Sequence, residues 1–332
     1  MTIKRVFSSS INADHAQAGM RYAFRKIFGD GNFAEFDYLE LKRQHHDEGE
    51  INRMLVDQAR SFKPDWVWLQ LQDTNVIQPH AIQEIRKALP KCVVTHWTGD
   101  CRPSVSAYLG SIGQSTHLTL VSSVGQLPLF RAAGAQEAAY LQIGLDYEED
   151  VLGSTRWRPD FNIPDVVFCG GYYGGIFPGT KDRVEAIETV RNAGIPIGIV
   201  GRGWPGQFPV IGQCGVKDQH HVWKRARVCL SVNHFNDIEL YYSDRQLISM
   251  ASGTPVVCRY VPGLEKEFVH GKHCLWYRHP NELVTYVSAL LKNPAEAAEL
   301  GRCGKEEVVR NHTWEARYRK LLPTIERIAG TL

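Results

Sequence analysis

The chain has 332 residues, 43% hydrophobic and 22% charged, with a formal net charge of +2. This length suits two domains of ordinary size, and the composition excludes a disordered or fibrous chain. No apolar run reaches the roughly 20 residues of a membrane-spanning helix, the start Met1-Thr2-Ile3-Lys4-Arg5-Val6 lacks a signal-peptide profile, and the mild basicity falls short of a nucleic-acid-binding signature; a cytoplasmic globular protein is expected.

Short apolar runs rich in β-branched residues alternate with longer stretches of helical period, the pattern of parallel strands joined by crossover helices. Residues 1–147 form the expected N-terminal domain. Its strands are predicted over 5–9, 34–39, 66–71, 92–95, 118–122 and 138–143, and its helices over 17–28, 50–62, 81–88, 105–111 and 126–133. Residues 148–164, polar and aperiodic, read as a linker. A second domain follows over 165–312, with strands over 166–169, 195–200, 228–232, 255–259 and 274–277. Its helices are expected over 181–192, 219–226, 244–251, 280–292 and 295–311. A last amphipathic helix, 314–328 within the segment 313–332, is expected to pack back on the N-terminal domain. The fold class is α/β, two Rossmann-like parallel-sheet domains facing across a cleft, where functional residues should follow the carboxyl ends of strands.

The eight cysteines (Cys92, Cys101, Cys169, Cys214, Cys229, Cys258, Cys274, Cys303) form no C-x-x-C pair and read as free, buried thiols. The adjacent pairs His45-His46 and His220-His221 point apart on a helix or a strand, so no structural metal is expected.

Three loops that follow strands carry candidate ligand chemistry. Gly170-Gly171-Tyr172-Tyr173-Gly174-Gly175 precedes a helix, and its glycines let backbone N–H groups approach an anion; a flexible surface loop is the alternative. In Gly201-Arg202-Gly203-Trp204, Arg202 suits bidentate phosphate binding and Trp204 suits ring stacking. The strongest candidate runs from Tyr242 to Glu265. Ser243 or Asp244 can cap a helix that carries Arg245 in its first turn, where a cation opposes the helix dipole and calls for an anionic ligand or a structural salt bridge. Farther on, Gly263-Leu264-Glu265 offers a carboxylate for a ribose diol, or merely a helix N-terminal acid.

The order of strand-Gly-Gly, Gly-x-Gly-Trp, Tyr-Ser-Asp-Arg with Ala-x-Gly-x-Pro-Val-Val, Pro-Gly-Leu-Glu and Asn311-His312-Thr313-Trp314-x-x-Arg317 resembles the group 1-like glycosyltransferases related to the spore-maturation protein CgeB. The resemblance spans residues 165–320 and implies the GT-B architecture, with a nucleotide diphosphate sugar, foremost a UDP-sugar, as co-substrate and no bound cofactor or metal. It further implies that Gly170, Gly171, Arg202 and Arg245 border the diphosphate and that Glu265 lies near the ribose or sugar. Tyr172, Trp204, Ser243, Asp244, Gly263 and Leu264 complete the expected donor set. Ile248 stands where many group 1 members carry a ribose-binding Glu, a departure that bears on the retaining mechanism.

An inverting transferase needs a base for the acceptor hydroxyl. His15 with Asp100 is the candidate catalytic pair, and Asp14, His96 and Trp97 are the candidate acceptor contacts. The expected acceptor is a hydroxyl on a glycan, lipid or protein, with hydroxymethylated pyrimidine in DNA as an alternative. A nucleotide-sugar epimerase or hydrolase, or a non-catalytic sugar-nucleotide binding protein, are the other readings.

Overall fold

The computed structural model describes residues 1–11, 18–146, 157–215 and 218–332. The chain divides into two compact units, Met1–Asp146 with Trp314–Leu332, and Tyr147–Thr313. Most of the expected linker, 148–156, lies outside the described residues.

In the first unit, β1 (Val6–Ser10), β2 (Phe33–Glu35), β3 (Trp66–Gln70), β4 (Val93–Thr98), β5 (Leu118–Val121) and β6 (Ala138–Tyr140) form one sheet in the order β2-β1-β3-β4-β5-β6. Every pairing is parallel. Helices α1 (Ala18–Phe28), α2 (Tyr38–Arg43), α3 (Glu48–Phe62), α4 (Pro79–Ala88), α5 (Ala107–Ser115) and α6 (Leu127–Ala132) make the connections. Strand alternation sorts the apolar residues into two cores: Trp66 and Trp68 enter one, while Val67 and Leu69 enter the other. The expected strand 34–39 is cut short because the Asp37 carboxylate accepts from the Glu40 N–H at 2.9 Å and starts α2 at Tyr38.

The second unit holds β7 (Val166–Cys169), β8 (Ile197–Val200), β9 (Val210–Gly212), β10 (Val228–Ser231), β11 (Val256–Arg259) and β12 (Leu275–Tyr277), again all parallel, in the order β12-β11-β10-β7-β8-β9. Its helices are α7 (Thr180–Asn192), α8 (Gln219–Trp223), α9 (Asp244–Ala251), α10 (Pro280–Lys292) and α11 (Pro294–Asn311). Strand β9 had no signature in the sequence, being a three-residue edge with an exposed first position. The last helix, α12 (Trp314–Ala329), belongs to the first unit. Its Trp314, Tyr318, Leu321 and Ile325 are buried among Phe24, Trp66, Trp68 and Trp97, and the Tyr318 ring stacks on Phe24 at 4.1 Å.

All eight cysteines are free, six of them buried and Cys214 and Cys303 half-buried. No helix among the described residues is long and apolar enough to cross a membrane.

Candidate functional site

Strand order decides where the second unit can bind a ligand. The chain first builds β7, β8 and β9 outward in one direction, then returns to the other side of β7 with β10. A doubly wound sheet binds ligands outside the carboxyl ends of the two strands flanking that reversal. Here those ends are Gly170-Gly171 after β7 and Val232-Asn233-His234 after β10.

Arg183, in the first turns of α7, spans both ends. Its Nε donates to the Val232 carbonyl at 3.0 Å and its Nη1 to the Gly171 carbonyl at 2.9 Å, while Nη2 is buried with no partner. The side chain is 1% exposed, and burial, followed by the charge of Arg245, pushes its pKa down to about 9. The start of α7 is pressed against the β10 exit at Gly179, whose N–H donates to the His234 carbonyl at 2.8 Å and where a Cβ would collide with the Asn233 carbonyl. His234 packs against Phe177 at 4.3 Å and Tyr173 at 5.3 Å. Burial, then Arg183 and Arg245, push its pKa down to about 3, so its ring is neutral, and its Nδ1 is buried with no partner.

Arg245 lies in the first turn of α9, behind the N-cap Ser243. The Ser243 N–H donates to Asn233 Oδ1 at 3.0 Å, which ties this helix start to the β10 exit. Among the described residues Arg245 pairs with the Asp244 carboxylate at 4.0 Å, which already accepts from the Arg245 backbone N–H at 2.9 Å. Two guanidiniums, a neutral imidazole and two helix starts therefore gather, and among the described residues Asp244 is the carboxylate in ion-pair range of either guanidinium. Buried positive charge left unpaired is costly, and an anion seated among these groups removes that cost.

The glycine loops after β7 and β8 form one structure. The Tyr172 N–H donates to the Arg202 carbonyl at 2.9 Å and the Trp204 indole to the Gly170 carbonyl at 2.8 Å. A Cβ at Gly201 would strike the Gly170 carbonyl, and one at Gly203, whose φ is +81°, would strike the Tyr172 carbonyl. Trp204 packs among Phe168, Tyr172 and Phe208, so much of its ring supports these loops. Arg202 is exposed.

After β11, Gly263 (φ +82°) begins a short turn over Leu264–Lys266. The Glu265 carboxylate accepts from Tyr260 at 2.9 Å, and its own backbone N–H, Tyr260 and Arg278 hold it below the usual carboxylate range. Leu264 is a correction to the expected donor set. Its side chain is buried and its N–H donates to the Val261 carbonyl at 3.1 Å, so neither is offered to a ligand.

In the first unit, Asp14 and His15 lie outside the described residues. Asp100 follows β4 and is 61% exposed, 3.2 Å from Arg102, which also pairs with Asp73 at 2.6 Å. The two neighbouring candidates are corrected. His96 is wholly buried in β4, and its pKa is pushed down to about 3 by that burial. Trp97 is 1% exposed, lies 5.0 Å from the Trp314 ring and donates to the Leu141 carbonyl at 2.8 Å. Both side chains are core, closed to an acceptor.

Sequence reading missed Arg183 and His234. Both could have been found from their placement, one at the start of a helix that follows a glycine loop, the other immediately after a strand. Among the described residues no group of three His, Cys, Asp or Glu side chains is placed to hold a metal ion.

A family model described as "Glycosyl transferase-like" matches residues 183–323, beginning at Arg183 itself. Among solved structures, HepE (Alr3699) of Anabaena in complex with UDP-glucose is 12% identical, with a TM-score of 0.61 over 99% of this chain and 100% of that one. A glycosyltransferase from Rickettsia africae is 8% identical, with a TM-score of 0.64 and 99% of each chain covered. Sucrose-phosphate synthase from Thermosynechococcus elongatus is 16% identical, with a TM-score of 0.50 over 85% of this chain and 79% of that one. The architecture is GT-B. No curated protein sequence matches the chain. The matched segment takes in most of α7, β10, α9 and the loop after β11, and so includes Arg183, His234, Arg245 and Glu265.

Proposed function

We propose that the protein is a glycosyltransferase, moving a sugar from a nucleotide diphosphate sugar to a hydroxyl acceptor. The observation that carries this reading is Arg183, a buried guanidinium fastened across the strand ends at the sheet's reversal, with Nη2 unpartnered and Arg245 nearby. A departing diphosphate develops negative charge in the transition state. Fixed guanidiniums and the α9 N-terminus stabilise that charge without reorganising. HepE, of the same architecture, has been solved with UDP, which favours a UDP-sugar as the donor. Glu265, exposed beyond β11, remains the candidate for the ribose or sugar hydroxyls. The order of motifs from Gly170 to Arg317 favours the CgeB-like branch.

On the acceptor side, Asp100, an exposed carboxylate 3.2 Å from Arg102, is the candidate base, with His15 as its candidate partner. His96 is unsuited to that role, because full burial keeps it neutral and away from solvent. A glycan, lipid or protein hydroxyl is the expected acceptor.

Calorimetry with UDP, ADP and GDP tests the donor site. One of them should bind, and Arg183→Met and Arg245→Met should each weaken it about tenfold, the worth of a charge-assisted hydrogen bond. An intact protein that binds none of the three would remove the reading.

A further inference from the structure

The order of motifs ends with Asn311-His312-Thr313-Trp314-x-x-Arg317, and the cationic site described above gives no role to its part in the second unit, residues 311–313. The segment meets the donor site through a buried polar chain inside the second unit. Tyr242, 2% exposed, donates its hydroxyl to the Glu267 carboxylate. The same carboxylate oxygen lies 3.4 Å from His312 Nδ1, and the other ring nitrogen, Nε2, lies 3.3 Å from Glu307. Asn311 donates to that Glu307 oxygen at 2.9 Å, and His273 stands 3.9 Å from its other oxygen. The Phe268 ring stacks on His312 at 4.7 Å and meets Tyr242 edge-on at 5.7 Å.

Tyr242 precedes Ser243, the N-cap of α9, and lies three residues before Arg245. The backbone leading to it is strained, because Leu240 adopts a φ of +55°, a region costly for a branched L side chain. Such a conformation persists only where its surroundings hold it. Among the hydrogen bonds that do so are Leu240 N–H to the Pro262 carbonyl at 2.8 Å, the Tyr242 hydroxyl to Glu267, and Ser243 N–H to Asn233 at 3.0 Å.

We infer that Tyr242, Glu267 and His312 are positioning residues for the donor site, a buried chain that sets where the α9 start presents Arg245 beside Arg183. The inference rests on the donor reading above. Glu267 is a nearly buried carboxylate, and removing the Tyr242 hydroxyl or the His312 ring takes away a polar neighbour that helps fix its position. The loop after β11 and the start of α9 then shift together. Displacements of about 1 Å can cost one to two orders of magnitude in an oriented site.

The test is a double-mutant cycle with the nucleoside diphosphate that wild type binds best, measured by calorimetry on variants whose fold is checked by near-ultraviolet circular dichroism. Tyr242→Phe should weaken binding about tenfold in the wild-type background and by less than about twofold in the Arg245→Met background, because its effect runs through Arg245. Equal losses in both backgrounds, or a lowered melting temperature with unchanged affinity, would overturn the inference. His312→Asn goes through the same cycle and decides the matter should Tyr242→Phe fail to fold. Absence of any nucleoside diphosphate binding by wild type is a separate result, which removes the donor reading and the inference together.

Discussion

His96 and Trp97 are neighbours in β4, and the two-residue period of a strand sends them to opposite faces of the same sheet. Trp97 joins the aromatic cluster beneath α1 and α12, and His96 is sealed on the other side, where its ring stays neutral. An unfolded histidine titrates near about 6.5. With the folded value depressed to about 3, the unfolded state binds the extra proton first as pH falls, so the contribution of His96 is full above about 6.5 and declines below it toward about 3. His117, pushed down to about 4, and His234, to about 3, act in the same direction. Melting temperature measured from neutral pH down to about 4.5 should therefore fall, and His96→Leu should flatten part of that fall. Parallel curves for wild type and variant would show that His96 has no such role. Asp100, four residues beyond His96, is instead exposed and pairs with Arg102 at 3.2 Å.

Among the elements, the glycine loops show best how local chemistry and packing divide the work. Gly170-Gly171 and Gly201-Arg202-Gly203 follow adjacent parallel strands, and their backbones touch so closely that no side chain fits at Gly201 or Gly203. Gly203→Ala must both strain a φ of +81° and push away the Tyr172 carbonyl, and should cost about 1–3 kcal/mol in denaturant unfolding. Gly175→Ala, with open space around its Cβ, should stay within about 0.5 kcal/mol of wild type. Equal effects would contradict the packing described for these loops. Element type was legible where an apolar run was long enough to show its period, as in β3 and α3. It was not legible for β9, or for α2, whose start depends on a single cap at Asp37.

At the level of the whole chain, the core of the first unit is completed by a helix that follows the whole second unit in sequence. Trp314, Tyr318 and Ile325 of α12 are buried against Phe24, Trp66, Trp68 and Trp97, with Lys26 and Glu315 paired at 2.7 Å alongside. A chain ending at residue 313 would leave that aromatic face open to water. It should lose cooperative thermal unfolding of the first unit and bind a hydrophobic dye, the behaviour of a partly packed state. A sharp transition for residues 1–146, retained in the shortened chain, would count against α12 as part of this core.

Local pattern was enough for the α/β alternation and for naming Gly170, Gly171 and Arg245 as candidates, because each signal is carried by residues close together in the chain. It could not distinguish a surface ring from a core ring at Trp97, nor a free backbone from a used one at Leu264, since the partners of both lie in other elements. Arg183 and His234 were decided by tertiary structure alone. They acquire meaning only when β10 is laid beside β7, bringing residues about fifty positions apart to one sheet edge, where burial and the neighbouring Arg245 lower the pKa of both, as cannot happen in the extended chain.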